Sequence, residues 1–239
     1  MIAAPEDIST HPDIGRDCGL AASSEPAGVL LTDSFPTEDT DVLIDFSEAR
    51  AADRSIDYCL NNGIALVSGT TALSDAQREK IKAASAKIPV LHATNMSVGM
   101  NVLFSLVGKV AAMLGDDYDV EIIEQHHRFK KDAPSGSALT LAEKICQQTG
   151  RSFPDSLVYG RSGKEAPREK GSIAVHAVRA GDITGIHSII FGALGETVTL
   201  NHTANSRETF ARGALRAAEW LVGKQPGLYA MTDVLGLEA

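Results

Sequence analysis

Two domains of different plan are predicted for this chain. The first is an α/β domain, a Rossmann-like doubly wound parallel sheet that is incomplete at its N-terminus, and the second is an α+β domain. Two observations carry the prediction. Between residues 41 and 94, short continuously apolar runs alternate with helical patterns, which implies parallel strands joined by right-handed crossovers. Beyond residue 170, three strand-like runs follow one another with only Gly-containing turns between them, the pattern of an antiparallel sheet. With 239 residues and 44% hydrophobic content, the chain can bury a substantial core.

The elements follow in order. "DVLIDF" (41–46) is apolar throughout, as expected of a strand covered on both faces. Ser47 is the expected N-cap of a helix reaching about Asn62, with Gly63 as its stop. "IALVSG" (64–69) is a second strand, and Ser74 opens the next helix with acidic residues in its first turn. "IPVLHAT" (88–94) is the third strand. An apolar helix is expected over 98–114, then the strand "DVEIIEQHH" (119–127) and a helix after Ser135. Residues 154–172, rich in Gly, Pro and charge, are predicted to be a long loop. The strands "SIAVHAVRA", "HSIIFGAL" and "ETVTLNHT" come next, and an amphipathic helix over 206–223 closes the pattern. The expected domains are 1–97 with 207–239, and 98–206.

Composition excludes several classes of function. A formal net charge of -9 and a single Trp speak against a nucleic-acid surface, which needs a basic face or stacking aromatics. Three cysteines without CxxC spacing fit reduced thiols in a cytoplasm. The apolar stretch at 98–114 is too short and too polar for a membrane span, and the N-terminus has no signal-like apolar segment.

Against that acidic background, "EQHHRFKKDAPSGSA" (124–138) concentrates two histidines and three cations ahead of a helix start. Neighbouring strand residues point to opposite faces, so His126 and His127 cannot converge on one metal ion, and no cluster completes a zinc set. One reading is a solvated charge run. The other is an anion pocket: Pro134-Ser135-Gly136-Ser137 leaves unpaired N–H groups at a positive helix end, beside Arg128, Lys130 and Lys131.

The same run resembles the signature of the 4-hydroxy-tetrahydrodipicolinate (dihydrodipicolinate) reductases of lysine biosynthesis, E-x-H-H-x-x-K-x-D-A-P-S-G-T-A. Only the Thr differs, replaced by Ser137, which keeps the hydroxyl. "VLIDFS", "SGTT", "HATNMSVGMN", "RAGDITGIHS" and "NHTANSRETFARGALRAAEWL" extend the resemblance, in order, over nearly the whole chain. It implies reduction of a small dicarboxylate by NADH or NADPH in a homotetramer. It also implies roles: His126 as general acid, Lys130 as its assisting cation, and His127, Gly136 and Ser137 as substrate contacts. Gly69, Thr70 and Thr71, then Ala93, Thr94, Asn95 and Met96, match the cofactor loops. Two positions depart from the family there: Ala72 stands where Gly is frequent, and Met96 where Phe is. Arg207 and Phe210 match fixed positions of the last helix, while His92, His176, His187 and His202 are expected to pack or hydrogen-bond.

Nothing before Asp41 reads as a strand feeding a G-x-x-G-x-M turn, where a pyrophosphate would sit. "MIAAPED" instead aligns with the end of the family's second strand, so Glu6 falls at the ribose-binding position. The first strand and helix are therefore expected to be absent and dinucleotide binding weakened. The alternative function is a catalytically silent relative that binds dicarboxylates or forms oligomers. Keeping both His126 and Lys130 favours the reductase, because a binder needs no proton donor.

Overall fold

The computed structural model describes residues 11–35 and 40–237. In chain order the elements are α1 (Cys18–Ala21), β1 (Val42–Asp45), α2 (Ala49–Asn62), β2 (Ala65–Ser68), α3 (Asp75–Ser85) and β3 (Pro89–His92). They continue with α4 (Val98–Leu114), β4 (Asp119–His126), α5 (Gly136–Thr149), β5 (Leu157–Tyr159) and β6 (Ile173–Arg179). The chain ends with β7 (Gly185–Ala193), β8 (Glu196–Ala204), α6 (Glu208–Leu221), β9 (Gly227–Tyr229) and α7 (Met231–Leu235). Two compact units result. Among the described residues, one takes those up to Ala93 together with Ala214–Met231, the other Thr94–Gly213 and those from Thr232.

The first unit holds an all-parallel sheet in the order β1-β2-β3-β9. β2 is buried at every position, as its unbroken apolar run requires. α2 lays Ala52, Ile56 and Cys59 on one face, against Ile81 and Ala84 of α3 and Leu66 and Val90 of the strands. Gly63 ends α2 at φ 66, and Ser74 and Gln77 form a capping box on α3.

Three expectations need correction here. Ser47 does not cap α2: the Asp45 carboxylate takes the Ser47 N–H at 2.8 Å, and the helix begins at Ala49 behind Glu48, which makes no side-chain cap bond. β1 is only half-buried apart from Asp45, since it is an edge of the sheet among the described residues, and Phe46 beyond it is 51% exposed. β9, a three-residue strand paired with β3, and the short α7 were not anticipated.

Ala72, the position where the family resemblance favours Gly, has φ 57. A left-handed conformation costs an L-residue about 1–2 kcal/mol, part of which glycine would return through its freer unfolded chain. Ala72→Gly is therefore expected to stabilise the protein by about 0.5–1 kcal/mol. An unchanged or lower urea midpoint would contradict this.

The second unit is built on a mixed sheet in the order β5-β6-β4-β7-β8. β7 and β8 form the expected antiparallel hairpin, but β6 and β7 do not pair, because β4 lies between them. β4 runs parallel to β6 and antiparallel to β7. The α5 crossover after β4 explains this correction, since a helical connection brings the chain back parallel. Residues 154–172 are not all loop: Leu157–Tyr159 pairs with β6. Val120 and Ile122 of β4, with Ile189 and Phe191 of β7, bury one face of the sheet against Met100, Val107, Leu141 and Ile145 of α4 and α5. Among the described residues, no helix is long and apolar enough to cross a membrane.

Candidate active site

The buried row of β4 runs 120, 122, 124, because side chains alternate along a strand. Its third member is a carboxylate, Glu124, with 0% exposure. Such a burial is tolerable only with full pairing, and four donors supply it. Arg179, at the end of β6, grips both carboxylate oxygens at 2.8 Å each. The Ser135 N–H donates at 3.0 Å, and His126 Nδ1 lies 2.6 Å from the second oxygen. Burial pushes the Glu124 carboxyl upward, but the bonds from His126 and Arg179 outweigh it and hold it at about 2.

The register carries this polar patch across the sheet. Glu124 is opposite His187 on β7, and His187 is opposite His202 on β8. His187 is 3% exposed and packs edge-on to the His126 ring, with centroids 5.2 Å apart. Burial, then the charge of His126, pushes His187 down to about 3, so it is neutral at physiological pH. Its Nε2 lies 3.3 Å from the Ser135 hydroxyl, and His202 Nε2 lies 3.2 Å from the Ser97 hydroxyl. Both residues thus hydrogen-bond through Nε2, while each Nδ1 is buried without a partner among the described residues, and desolvation also lowers His202.

Beyond the strand end, the backbone turns tightly: the Lys130 N–H donates to the His127 carbonyl at 3.1 Å. That turn brings the Lys130 ammonium to 2.8 Å from Asp132. Burial raises the Asp132 carboxyl, but Lys130 pulls it below its ordinary value. Arg128 and Lys131 stay exposed. His127 Nε2 accepts from Arg207 at 3.4 Å. Desolvation, followed by the Arg207, His126 and Lys130 charges, holds His127 below the usual imidazole range.

α5 begins as anticipated, with the Ser135 hydroxyl accepting from the Ala138 N–H. The Gly136 and Ser137 amides find no acceptor among the described residues. Asn95 Nδ2 donates to the Ser137 hydroxyl at 3.0 Å, and Thr94 and Thr140 bring their hydroxyls to 3.4 Å. Two residues of the second expected cofactor loop therefore adjoin the start of α5. Met96 is 1% exposed, main chain included, and its carbonyl packs beneath Gly213.

Gly69, Thr70, Thr71 and Ala93 belong to the first unit, at the carboxyl ends of β2 and β3. Phe46 lies over Gly69, where a Cβ would come within 2.5 Å of its ring. Thr70 is 1% exposed, and its hydroxyl is buried with no partner among the described residues. An unsatisfied hydroxyl at the carboxyl end of a parallel strand fits a polar ligand such as a nicotinamide dinucleotide. Thr71 is exposed. Glu6 lies outside the described residues.

The sequence reading missed the roles of Glu124, Arg179 and His187 in this site. For Glu124 a signal existed: two residues before His126 on one strand means the same face. Arg179 and His187 have no comparable local signal, because they arrive from other strands.

Residues 2–96 match the family model for the dihydrodipicolinate reductase N-terminus, and residues 99–235 match the model for its C-terminus. The 4-hydroxy-tetrahydrodipicolinate reductase of Hahella chejuensis is 46% identical over 227 residues, covering 94% of this chain and 85% of its own length. That of Anaeromyxobacter dehalogenans is 46% identical over 228 residues, covering 95% and 84%. A solved dipicolinate-bound dihydrodipicolinate reductase from Paenisporosarcina sp. TG-14 shares the fold with a TM-score of 0.67 at 25% identity. The match covers 98% of this chain and 88% of that one. Two consecutive family models and close relatives spanning the histidine site leave one assignment: the chain belongs to the dihydrodipicolinate reductase family.

Proposed function

We propose that this chain reduces 4-hydroxy-tetrahydrodipicolinate to tetrahydrodipicolinate with NADH or NADPH, a step of the diaminopimelate route to lysine. One observation carries the reading: a carboxylate-paired histidine, an ammonium and two open helix-start amides lie on adjoining elements of one unit. The substrate is a small dicarboxylate, which needs fixed positive groups to hold it and a proton donor for the centre being reduced. His126 donates that proton from Nε2, its Nδ1 being engaged by Glu124. Lys130 assists as a cation. His127 and the Gly136 and Ser137 amides hold the carboxylates, helped by the helix dipole.

When bound, the nicotinamide supplies hydride. Gly69, Thr70, Thr71, Ala93, Thr94, Asn95 and Met96 are the residues we assign to holding it, with Glu6 assigned to the ribose. The first unit is thus the dinucleotide-binding domain and the second the substrate domain. Purified protein should oxidise NADH or NADPH only when the substrate is present, followed by absorbance. Failure of the native protein to do so with either cofactor would sink the reading.

The assembly we propose is a homotetramer formed through the mixed sheet. β8 is nine residues long, at the sheet edge, and its side chains are mostly exposed or half-exposed, a surface that invites pairing unless covered. Light scattering at micromolar concentration should give four copies; a monomer would contradict it. We assign the protein to the cytoplasm. Cys18, Cys59 and Cys146 are all unpaired, as suits a reducing compartment.

A further inference from the structure

We infer that Glu124, clamped by Arg179, is a positioning residue that holds the His126 ring with Nδ1 protonated and leaves Nε2 as its proton-transferring nitrogen. The inference rests on the reading of His126 as the proton donor and adds the device that prepares it.

The carboxylate is immobilised from three elements. One oxygen takes Arg179 Nη2 and the Ser135 N–H; the other takes Arg179 Nη1 and His126 Nδ1. Arg179 is itself fixed by donating to the Asp132 and Val178 carbonyls at 2.6 and 2.8 Å. The Asp132 bond ties the clamp to the turn that carries Lys130. With every lone-pair direction in use, the carboxylate cannot rotate to offer His126 another geometry. An ionised carboxylate only accepts, so the ring nitrogen facing it must carry a proton. A proton leaving Nε2 then yields the neutral ring protonated at Nδ1, the tautomer that Glu124 already binds.

The opposite side of the ring is kept clear. A Cβ at Gly185 of β7 would lie 3.2 Å from His126 Nε2 and 3.5 Å from Cδ2, so any larger residue would press on the nitrogen that must reach substrate. Charged or titratable groups surround the ring from every neighbouring element: Glu124 on β4, Arg179 on β6, His187 on β7 and His202 beyond it on β8. His127, Lys130 and Asp132 lie in the following turn, and Arg207 lies ahead of α6. Glu124 is the carboxylate that touches the ring.

Nitrogen-15 NMR of histidine side chains in the wild-type protein tests this without a variant. The neutral His126 ring should carry its proton on Nδ1; a proton on Nε2 would overturn the inference. In Glu124→Gln, Arg179 Nη2 and the Ser135 N–H hold the amide oxygen, which turns the NH₂ toward Nδ1 and leaves Arg179 Nη1 without its acceptor there. The neutral tautomer should then switch to Nε2–H, with kcat lowered about 10–100-fold and KM little changed. Equal losses in kcat and KM with an unchanged tautomer would mean a merely structural pair. Should Glu124→Gln not fold, the wild-type tautomer still decides. Gly185→Ala then provides the kinetic arm: kcat should fall with Nδ1–H retained, and an unchanged kcat would count against the inference. His126→Gln separates the two levels. If it keeps full activity while wild type shows Nδ1–H, the proton-donor reading fails and the positioning contact stands. If it loses activity while wild type shows Nε2–H, the positioning inference fails alone.

Discussion

Replacing His126 with glutamine is expected to lower kcat by about 10²–10⁴-fold, the usual worth of a positioned general acid. Glutamine is close in size, and Arg179 and the Ser135 N–H still pair the buried carboxylate, so the fold should survive. It cannot donate a proton from the position of Nε2. With the carboxylates assigned to His127 and the start of α5, KM should change little. His127→Gln should do the reverse, acting mainly on KM, since its ring is assigned to substrate binding beside Arg207, 3.4 Å away. Steady-state kinetics on both variants, with circular dichroism to confirm folding, measure the split. An unchanged kcat in His126→Gln would remove this residue from the mechanism.

Lys130→Ala is expected to weaken binding of a planar dianion such as pyridine-2,6-dicarboxylate by roughly 2–5 kcal/mol, the range for removing one partner of a partly desolvated charge pair. That corresponds to a loss in Kd of about 30-fold to several thousand-fold. Asp132 already takes one Lys130 proton at 2.8 Å, and the ammonium has three, so two remain for a ligand. Asp132→Asn serves as the comparison: it removes the competing charge and should leave binding equal or tighter. Calorimetry reads all three proteins. Equal affinity in wild type and Lys130→Ala would remove this cation from the pocket, and no binding to wild type would remove the pocket itself.

Much of the fold was legible because its signals are local. Gly63 and the Ser74–Gln77 pair terminate or open their helices through bonds within a few residues, as do Ser97 and Ser135. Such caps depend on the neighbouring backbone alone, so the sequence shows them. Ser47 was lost to a competitor equally near at hand, the Asp45 carboxylate, which no rule of spacing ranks above a serine cap. The three-residue strands β5 and β9 have no periodicity of their own and are extended only because β6 and β3 accept them as partners. The insertion of β4 between β6 and β7 is likewise a matter of long-range pairing, invisible to runs and turns.

The site divides along the same line. By itself the sequence determined the chemistry available: a histidine pair, cations and a serine-capped helix start in one run, in an order that resembles a single family. It also determined that Glu124 and His126 share a face, because the two-residue repeat of a strand is a property of the backbone. Only the tertiary structure decided which groups act on one another. It buried Glu124, and a buried carboxylate must be paired, so Arg179 from 55 residues away became part of the site. It left Arg128 and Lys131 in solvent, where high dielectric makes a charge worth little, and it brought Lys130 to Asp132. Burial and partner are set by strand order, which no local run encodes, and they are what bring a cluster of titratable side chains into one set of contacts.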